Sequence, residues 1–204
     1  NNPTGTFASG GDLERLLDSV PDNVAVVLDE AYTEYLPDEK RYDSLSWVRR
    51  HRNLIVTRTF SKVYGLAGLR VGFCVCDPGV AELLNRVRQP FNVNNLALVA
   101  AIAALGDADF VKRSAQANRA GMLQLEAGFR DLGLDFIPSV GNFVSVAFKR
   151  AKDVPQASAV YDRLLRQGVI VRPVSGYGMP DHLRITVGTR EENTRFLEAL
   201  RKSL

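Results

Sequence analysis

Residues 24–29 read VAVVLD, and residues 54–76 read LIVTRTFSKVYGLAGLRVGFCVC. Within them, Val24–Leu28 and Leu54–Val56 are unbroken apolar runs, which predict parallel strands covered on both faces by helices. A third strand is predicted at Arg70–Cys76. The link between the second and third strands has only about a dozen residues and shows no helical pattern. A parallel connection needs at least that many residues and usually contains a helix. We therefore expect the third strand to run antiparallel to the second.

The remaining sequence predicts helices beside these strands and then a change of pattern. Helical spacing predicts a helix at Asp12–Val20, and residues 78–132 are predicted to be mostly helical, with Leu96–Leu105 as a core helix. Beyond Gly133 the predicted strands are Phe143–Phe148, Val169–Arg172 and Leu183–Val187. The predicted helices are Val154–Gln167 and Thr189–Ser203, and the second would begin with a capping box of Thr189 and Glu192. The predicted fold class is α/β. Residues 1–100 would hold part of a mostly parallel sheet with one antiparallel strand, and residues 101–204 a smaller α+β domain.

Composition excludes several classes of protein. The 26 basic and 23 acidic residues give a net charge of only +3, and the basic residues are scattered, which argues against nucleic-acid binding. No apolar run has the length of a membrane span, so we expect no membrane association. Cys74 and Cys76 are two residues apart, which disfavours a disulfide, and only His51 and His182 could add metal ligands. We expect buried, reduced thiols, no metal site and a cytoplasmic location.

Four side chains could carry chemistry near the ends of the predicted strands. Asp29 ends an apolar strand, where a carboxylate needs a cationic partner, although a helix cap or a structural ion pair would also account for it. Lys62 follows the second strand, where α/β proteins bind ligands, and a lysine there could form a Schiff base or simply be exposed. Arg70 would return beside Lys62 and could bind an anion. Arg184 alternates with apolar residues in a predicted strand and could bind a carboxylate or simply lie on the polar face.

The order of these motifs is more specific than any one of them. Asn2-Pro3-Thr4-Gly5, Asp29-Glu30-Ala31-Tyr32, Ser61-Lys62 with Arg70, and Arg184-Ile185-Thr186-Val187-Gly188 follow one another along the chain. In this order they resemble fold-type I pyridoxal-phosphate aminotransferases over essentially all 204 residues. The chain lacks what that family places before its Asn-Pro-Thr-Gly motif. We therefore expect this stretch alone to fold poorly or to associate with itself.

The resemblance implies a role for each matching residue. Lys62 would bind pyridoxal 5′-phosphate as a Schiff base and move a proton during transamination. Asp29 would keep the pyridine nitrogen protonated, so that the ring accepts electrons. The other implied cofactor ligands are Asn2 and Tyr32 at the 3′ oxygen, and Thr59, Ser61 and Arg70 at the phosphate.

Within that fold the chain most resembles histidinol-phosphate aminotransferases. The matching stretches are RTFSKVYGLAGLRVG at 58–72, PFNVN at 90–94, PSVGNF at 138–143 and VIVRPV at 169–174. The implied reaction transfers the amino group of histidinol phosphate to 2-oxoglutarate, giving imidazole acetol phosphate and glutamate, a step of histidine biosynthesis. Arg184 would bind the substrate α-carboxylate with help from Asn142, although Asn142 could instead only satisfy a turn. Arg172 would meet the phosphate, although it could equally be a surface arginine at a strand end.

Other functions share this scaffold. Aromatic amino acid transamination and decarboxylation of a phosphorylated amino acid use the same cofactor, and a non-catalytic or cofactor-sensing regulatory domain belongs to another class. The implied partners are a small-molecule amino donor and a 2-oxo acid. The resemblance also implies a homodimer of the full-length protein.

Overall fold

In the computed structural model, which describes residues 1–148 and 156–204, the chain forms two compact units. One unit comprises residues 8–114, and the other comprises residues 1–7 together with residues 115–204. The bounds of these two compact units differ from those of the domains predicted at residues 1–100 and 101–204. That domain division therefore stays a prediction.

The unit of residues 8–114 contains a three-stranded sheet in the order β1-β2-β3. Its strands are β1 (Val26–Asp29), β2 (Leu54–Thr59) and β3 (Gly72–Cys76). The first two strands are parallel, and β3 is antiparallel to β2, as the short connection predicted. With the helices α1 (Gly10–Ser19), α2 (Ser44–Trp47), α3 (Pro78–Val87) and α4 (Asn95–Gly106), this confirms the predicted α/β class.

Strand β3 begins two residues later than predicted. Arg70 has a φ of 55°, in the left-handed region, and it follows a 3₁₀ turn at Ala67–Leu69. Extended backbone cannot include such a residue, so the strand starts at Gly72. A Cβ at Gly72 would lie 2.7 Å from the Arg58 carbonyl oxygen, so the close approach of β2 and β3 requires glycine there.

The sheet of this unit is covered on one face only, although the apolar runs predicted cover on both. Leu54 and Val56 are fully buried against Leu17 and Trp47 of the helices. Val27, which points to the opposite face, is 61% exposed. The strands therefore show alternating burial within the described residues, where continuous burial had been expected.

Helix α4 forms where the apolar run predicted it, but it is not a core helix. Only Ala97 and Ala101 are buried on it, whereas Leu96, Val99 and Ile102 are 76%, 68% and 73% exposed. Exposed apolar patches of this kind favour association.

We expect the 22.5 kDa chain alone to self-associate in solution, because α4 leaves these side chains in water. The variant with Leu96→Glu, Val99→Lys and Ile102→Glu should shift the population toward monomer. Size-exclusion chromatography with light scattering measures both masses. A monomeric wild-type chain would contradict the expectation.

The second unit contains a four-stranded antiparallel sheet in the order β4-β5-β7-β6. Its strands are β4 (Phe136–Ile137), β5 (Phe143–Ala147), β6 (Arg172–Pro173) and β7 (His182–Thr186). Its helices are α5 (Ala108–Asp131), which begins within the first unit, α6 (Ala157–Arg166) and α7 (Arg190–Arg201). The core lies on one face of the sheet and includes Leu125, Phe129, Val144, Val146 and Leu164.

Two predicted boundaries in this unit need correction. The strand predicted at Val169–Arg172 is only Arg172–Pro173, because the Val169 amide donates to the Leu164 carbonyl and closes the end of α6. Helix α6 begins at Ala157, and the predicted start at Val154 lies outside the described residues. The predicted capping box of Thr189 and Glu192 is present at the start of α7.

Candidate active site

Six of the predicted site residues lie at one edge of the sheet in the unit of residues 8–114. Strands β1 and β2 are parallel, so their carboxyl ends reach the same edge, which is where α/β sheets bind ligands. The residues at these ends and in the loops that follow are Asp29, Tyr32, Thr59, Ser61, Lys62 and Arg70. The structure thus brings these six residues to one edge of the sheet, and their roles in binding stay a prediction.

Lys62 lies beside the ring of Tyr32. The Lys62 Nζ atom is 5.4 Å from the ring centroid, within the range of a cation–π contact. Lys62 is partly buried, and its carbonyl accepts a hydrogen bond from the Gly65 amide at 3.0 Å. The loop is thus held in a turn that keeps the amine next to an aromatic surface.

Thr59, Ser61 and Arg70 form a group of hydrogen-bond donors suited to an anion. Arg70 Nη1 is 3.4 Å from Ser61 Oγ and donates to the Ala67 carbonyl at 2.9 Å. The Ser61 amide donates to Thr59 Oγ1 at 3.1 Å. The positive φ of Arg70 costs on the order of 1–3 kcal/mol, and such strain is concentrated at functional sites.

Asp29 is exposed, so burial does not require a cation beside its carboxylate, and its role toward a pyridine nitrogen stays a prediction. Its Oδ1 atom accepts a hydrogen bond from the Ala31 amide at 3.0 Å and shapes the turn after β1.

The carboxylate that is buried belongs to Glu30, whose side chain is 1% exposed and lies 2.8 Å from Arg58 Nη2. Glu30 and Arg58 are functional candidates that the sequence reasoning missed. The available signal was their opposite charges, which lie two residues beyond the apolar residues Leu28 and Val56 of adjacent strands.

Burial also changes the acidity of groups around this edge. Burial raises the pKa of the Glu34 carboxyl, and the nearby Arg58 charge acts in the opposite direction. Burial likewise raises the pKa of the Tyr42 and Tyr64 hydroxyls. Both phenols therefore stay protonated at neutral pH and remain hydrogen-bond donors.

The other four predicted residues lie in the second unit. Arg184 of β7 is the direct cross-strand partner of Arg172 on β6, so the two side chains point to the same face of the sheet. The Arg184 guanidinium carbon lies 5.0 Å from the Phe143 ring centroid, and Arg184 Nη1 donates to Asn2 Oδ1 at 2.5 Å. The Asn142 carbonyl accepts from the Val187 amide at 2.9 Å.

Two neighbouring arginines repel each other unless an anion lies near them. Like charges directly opposite on adjacent strands are destabilising. Among the described residues, buried Arg184 Nε has no hydrogen-bond partner, whereas Arg172 is exposed. This face of the sheet is therefore suited to an anionic ligand such as a carboxylate or phosphate.

The described part of the chain offers little for other chemistry. Within it, no group of three or more histidine, cysteine, aspartate or glutamate residues is arranged to hold a metal ion. Cys74 and Cys76 are free thiols, and Cys74 is exposed where burial had been expected. None of the helices in residues 1–148 and 156–204 is long and apolar enough to cross a membrane.

The chain is similar in sequence to known aminotransferases. A model of the family described as aminotransferase class I and II matches residues 1–200. Histidinol-phosphate aminotransferase 1 of Cupriavidus pinatubonensis is 58% identical over 205 residues, which cover 100% of this chain and 54% of that protein. Histidinol-phosphate aminotransferase 2 of Pseudomonas fluorescens Pf-5 is 58% identical over 204 residues, with the same coverage. The chain thus spans about half the length of these curated relatives.

Solved structures agree with these sequence matches. Histidinol-phosphate aminotransferase from Sinorhizobium meliloti, solved in complex with pyridoxal-5′-phosphate, superposes with a TM-score of 0.90 at 31% identity, over 99% of this chain and 55% of that chain. L-threonine-O-3-phosphate decarboxylase from Porphyromonas gingivalis has a TM-score of 0.84 at 24% identity, over 99% of this chain and 61% of that chain. The second likeness concerns the fold alone.

Proposed function

The chain belongs to the class I and II aminotransferase family, and we propose that it is part of a pyridoxal-phosphate-dependent aminotransferase acting on histidinol phosphate. The amino acceptor in this proposal is 2-oxoglutarate. Because the chain spans 54% of its curated relatives, the activity is proposed for the longer protein to which such a segment belongs.

The observation that carries the proposal is the arrangement around Lys62. A partly buried amine lies beside the Tyr32 ring, and the Ser61–Arg70 contact of 3.4 Å follows in the same loop region. Pyridoxal phosphate carries an aldehyde that reacts with an amine and a phosphate that needs charged donors. The residues present at this edge of the sheet therefore fit that cofactor.

Each residue has a proposed task toward the cofactor. When bound, pyridoxal phosphate supplies an electron sink for a carbanion at the substrate Cα atom. Asp29, held by the Ala31 amide, would keep the pyridine nitrogen protonated. Lys62 would hold the cofactor and then carry a proton between substrate Cα and cofactor C4′. The proposed cofactor ligands are completed by Tyr32 and Asn2 at the 3′ oxygen and by Thr59, Ser61 and Arg70 at the phosphate.

The arginines of the second unit support an anionic substrate. Histidinol phosphate has a phosphate ester and no carboxylate, whereas glutamate and 2-oxoglutarate have an α-carboxylate. Arg184, oriented by Phe143 and Asn2, would bind the α-carboxylate of the acid. Arg172, directly opposite Arg184, would bind the phosphate, and Asn142 would assist at the carboxylate.

The substrate is tested in a protein that contains both halves. We would join this chain to the part of the Cupriavidus pinatubonensis relative that it does not cover, and we call the product the completed protein. With 2-oxoglutarate as acceptor, we expect glutamate formation from histidinol phosphate at a kcat/KM at least about 10-fold above that with phenylalanine. Preference for phenylalanine, or carbon dioxide release from threonine phosphate, would overturn the substrate assignment.

Location and assembly belong to the same proposal. We propose a homodimeric enzyme of the cytoplasm whose partners are small molecules. A completed protein that binds the cofactor but turns over none of these substrates would instead favour a cofactor-sensing regulatory domain. Light scattering of the completed protein tests the dimer directly.

A further inference from the structure

We propose that the ion pair of Glu30 and Arg58 positions the end of β1 at Asp29 and the loop that carries Lys62. This inference rests on the proposed function, since it concerns how the chain prepares those residues for pyridoxal phosphate. Glu30 directly follows Asp29, and Arg58 directly precedes Thr59. The pair therefore joins the end of β1 to the end of β2.

The geometry of the pair restricts movement between the strand ends. Arg58 Nε and Nη2 lie 2.9 Å and 2.8 Å from the same Glu30 oxygen, Oε2. The Glu30 amide also donates to the Thr57 carbonyl at 2.9 Å, which extends the contact of β1 and β2 by one residue. Backbone and side chain thus hold the turn after β1 against β2.

Strand alternation places the pair away from the proposed cofactor ligands. Leu28 and Val56 pack in the core beneath the helices, and Glu30 and Arg58 each lie two residues further along the same face. Asp29, by the same alternation, points to the opposite face. The pair therefore acts on the site through the backbone, as positioning residues that do not touch the cofactor.

Stability alone does not account for these two charges. A buried ion pair is often no more stabilising than two apolar side chains of similar volume, because both charges lose their hydration. The Glu30 side chain is 1% exposed, and within the described residues its second oxygen, Oε1, has no hydrogen-bond partner. The charged pair provides a directional bond between the two strand ends, which an apolar pair would not provide.

The test compares single and double variants of the completed protein. We expect Glu30→Gln and Arg58→Lys each to raise the dissociation constant for pyridoxal phosphate about 10- to 100-fold, because small misplacements at a reactive site are costly. The double variant Glu30→Leu with Arg58→Met should recover the melting temperature, since no unpaired charge is buried. Its affinity for the cofactor should stay low, and the pH midpoint of the bound cofactor's absorbance should stay shifted from wild type.

A matched control is the exposed ion pair of Glu14 and Arg50, whose atoms lie 2.6 Å apart in the same unit. Glu14→Gln should leave cofactor affinity unchanged. Cofactor affinity that recovers together with melting temperature in the double variant would show a purely structural role and overturn the inference. Wild-type affinity in Glu30→Gln would overturn it as well. If the wild-type completed protein binds no cofactor, the proposed function fails, and this inference fails with it.

Discussion

Lys62→Ala is expected to abolish covalent retention of pyridoxal phosphate and to lower transamination by the completed protein by at least about 10²- to 10⁴-fold, the usual contribution of a positioned acid–base group. The variant removes both the amine that holds the cofactor and the group that moves the proton. The measurement is a borohydride trap. Reduction fixes the cofactor on its amine, and mass spectrometry of a digest then identifies the modified peptide.

The control for this trap is Lys112→Ala. Lys112 is exposed on α5 in the same unit as Lys62, so its loss should leave both the adduct and the activity intact. An adduct on the Lys62 peptide in wild type that disappears in Lys62→Ala would establish the attachment residue. An adduct on another lysine, or none on the folded completed protein, would overturn the proposed role of Lys62.

Arg184→Gln is expected to reduce kcat/KM for 2-oxoglutarate, whose α-carboxylate Arg184 would bind, by about 30-fold or more. Removing one partner of a buried, hydrogen-bonded charge pair costs about 2–5 kcal/mol, and each 1.4 kcal/mol is a factor of about ten. Arg184 is oriented in advance by Phe143 and Asn2, so its bond to a substrate anion would be made without reorganisation. Steady-state kinetics with histidinol phosphate and with 2-oxoglutarate measure the loss.

Arg172→Gln distinguishes the two arginines. If Arg172 meets the phosphate, this variant should impair turnover of histidinol phosphate more than that of 2-oxoglutarate, whereas Arg184→Gln should impair turnover of 2-oxoglutarate more. Arg201→Gln, an exposed arginine of α7, serves as the control and should change neither. Equal losses for all three variants would indicate a general effect of charge and contradict specific binding by Arg184.

Much of the fold could be predicted because its signals are local. The apolar runs that became β1 and β2, the short link that makes β3 antiparallel, and the capping box at Thr189 all depend on residues close in sequence. The grouping of Lys62 with Thr59, Ser61 and Arg70 followed for the same reason. The start of β3 was less predictable, because the left-handed conformation of Arg70 has no signal in residue type.

Burial was the least predictable property. The apolar run of α4 indicated a core helix, yet Leu96 and Ile102 are largely exposed within the described chain. The same apolar pattern is compatible with a helix packed in the core and with a helix that has an uncovered apolar face. Hydrophobicity alone does not specify which segment, if any, packs against that face. Asp29 and Glu30 are neighbours in the sequence, and the sequence alone did not show which of the two carboxylates is buried.

The sequence by itself determined the order and type of most elements and the positions of the chemically competent residues. Only the tertiary structure decided that Glu30 pairs with Arg58 and that Arg172 stands directly opposite Arg184. Both facts depend on strand register, and a shift of one residue would turn every side chain of a strand to the other face. Register is set by pairing between distant segments, which local spacing does not encode.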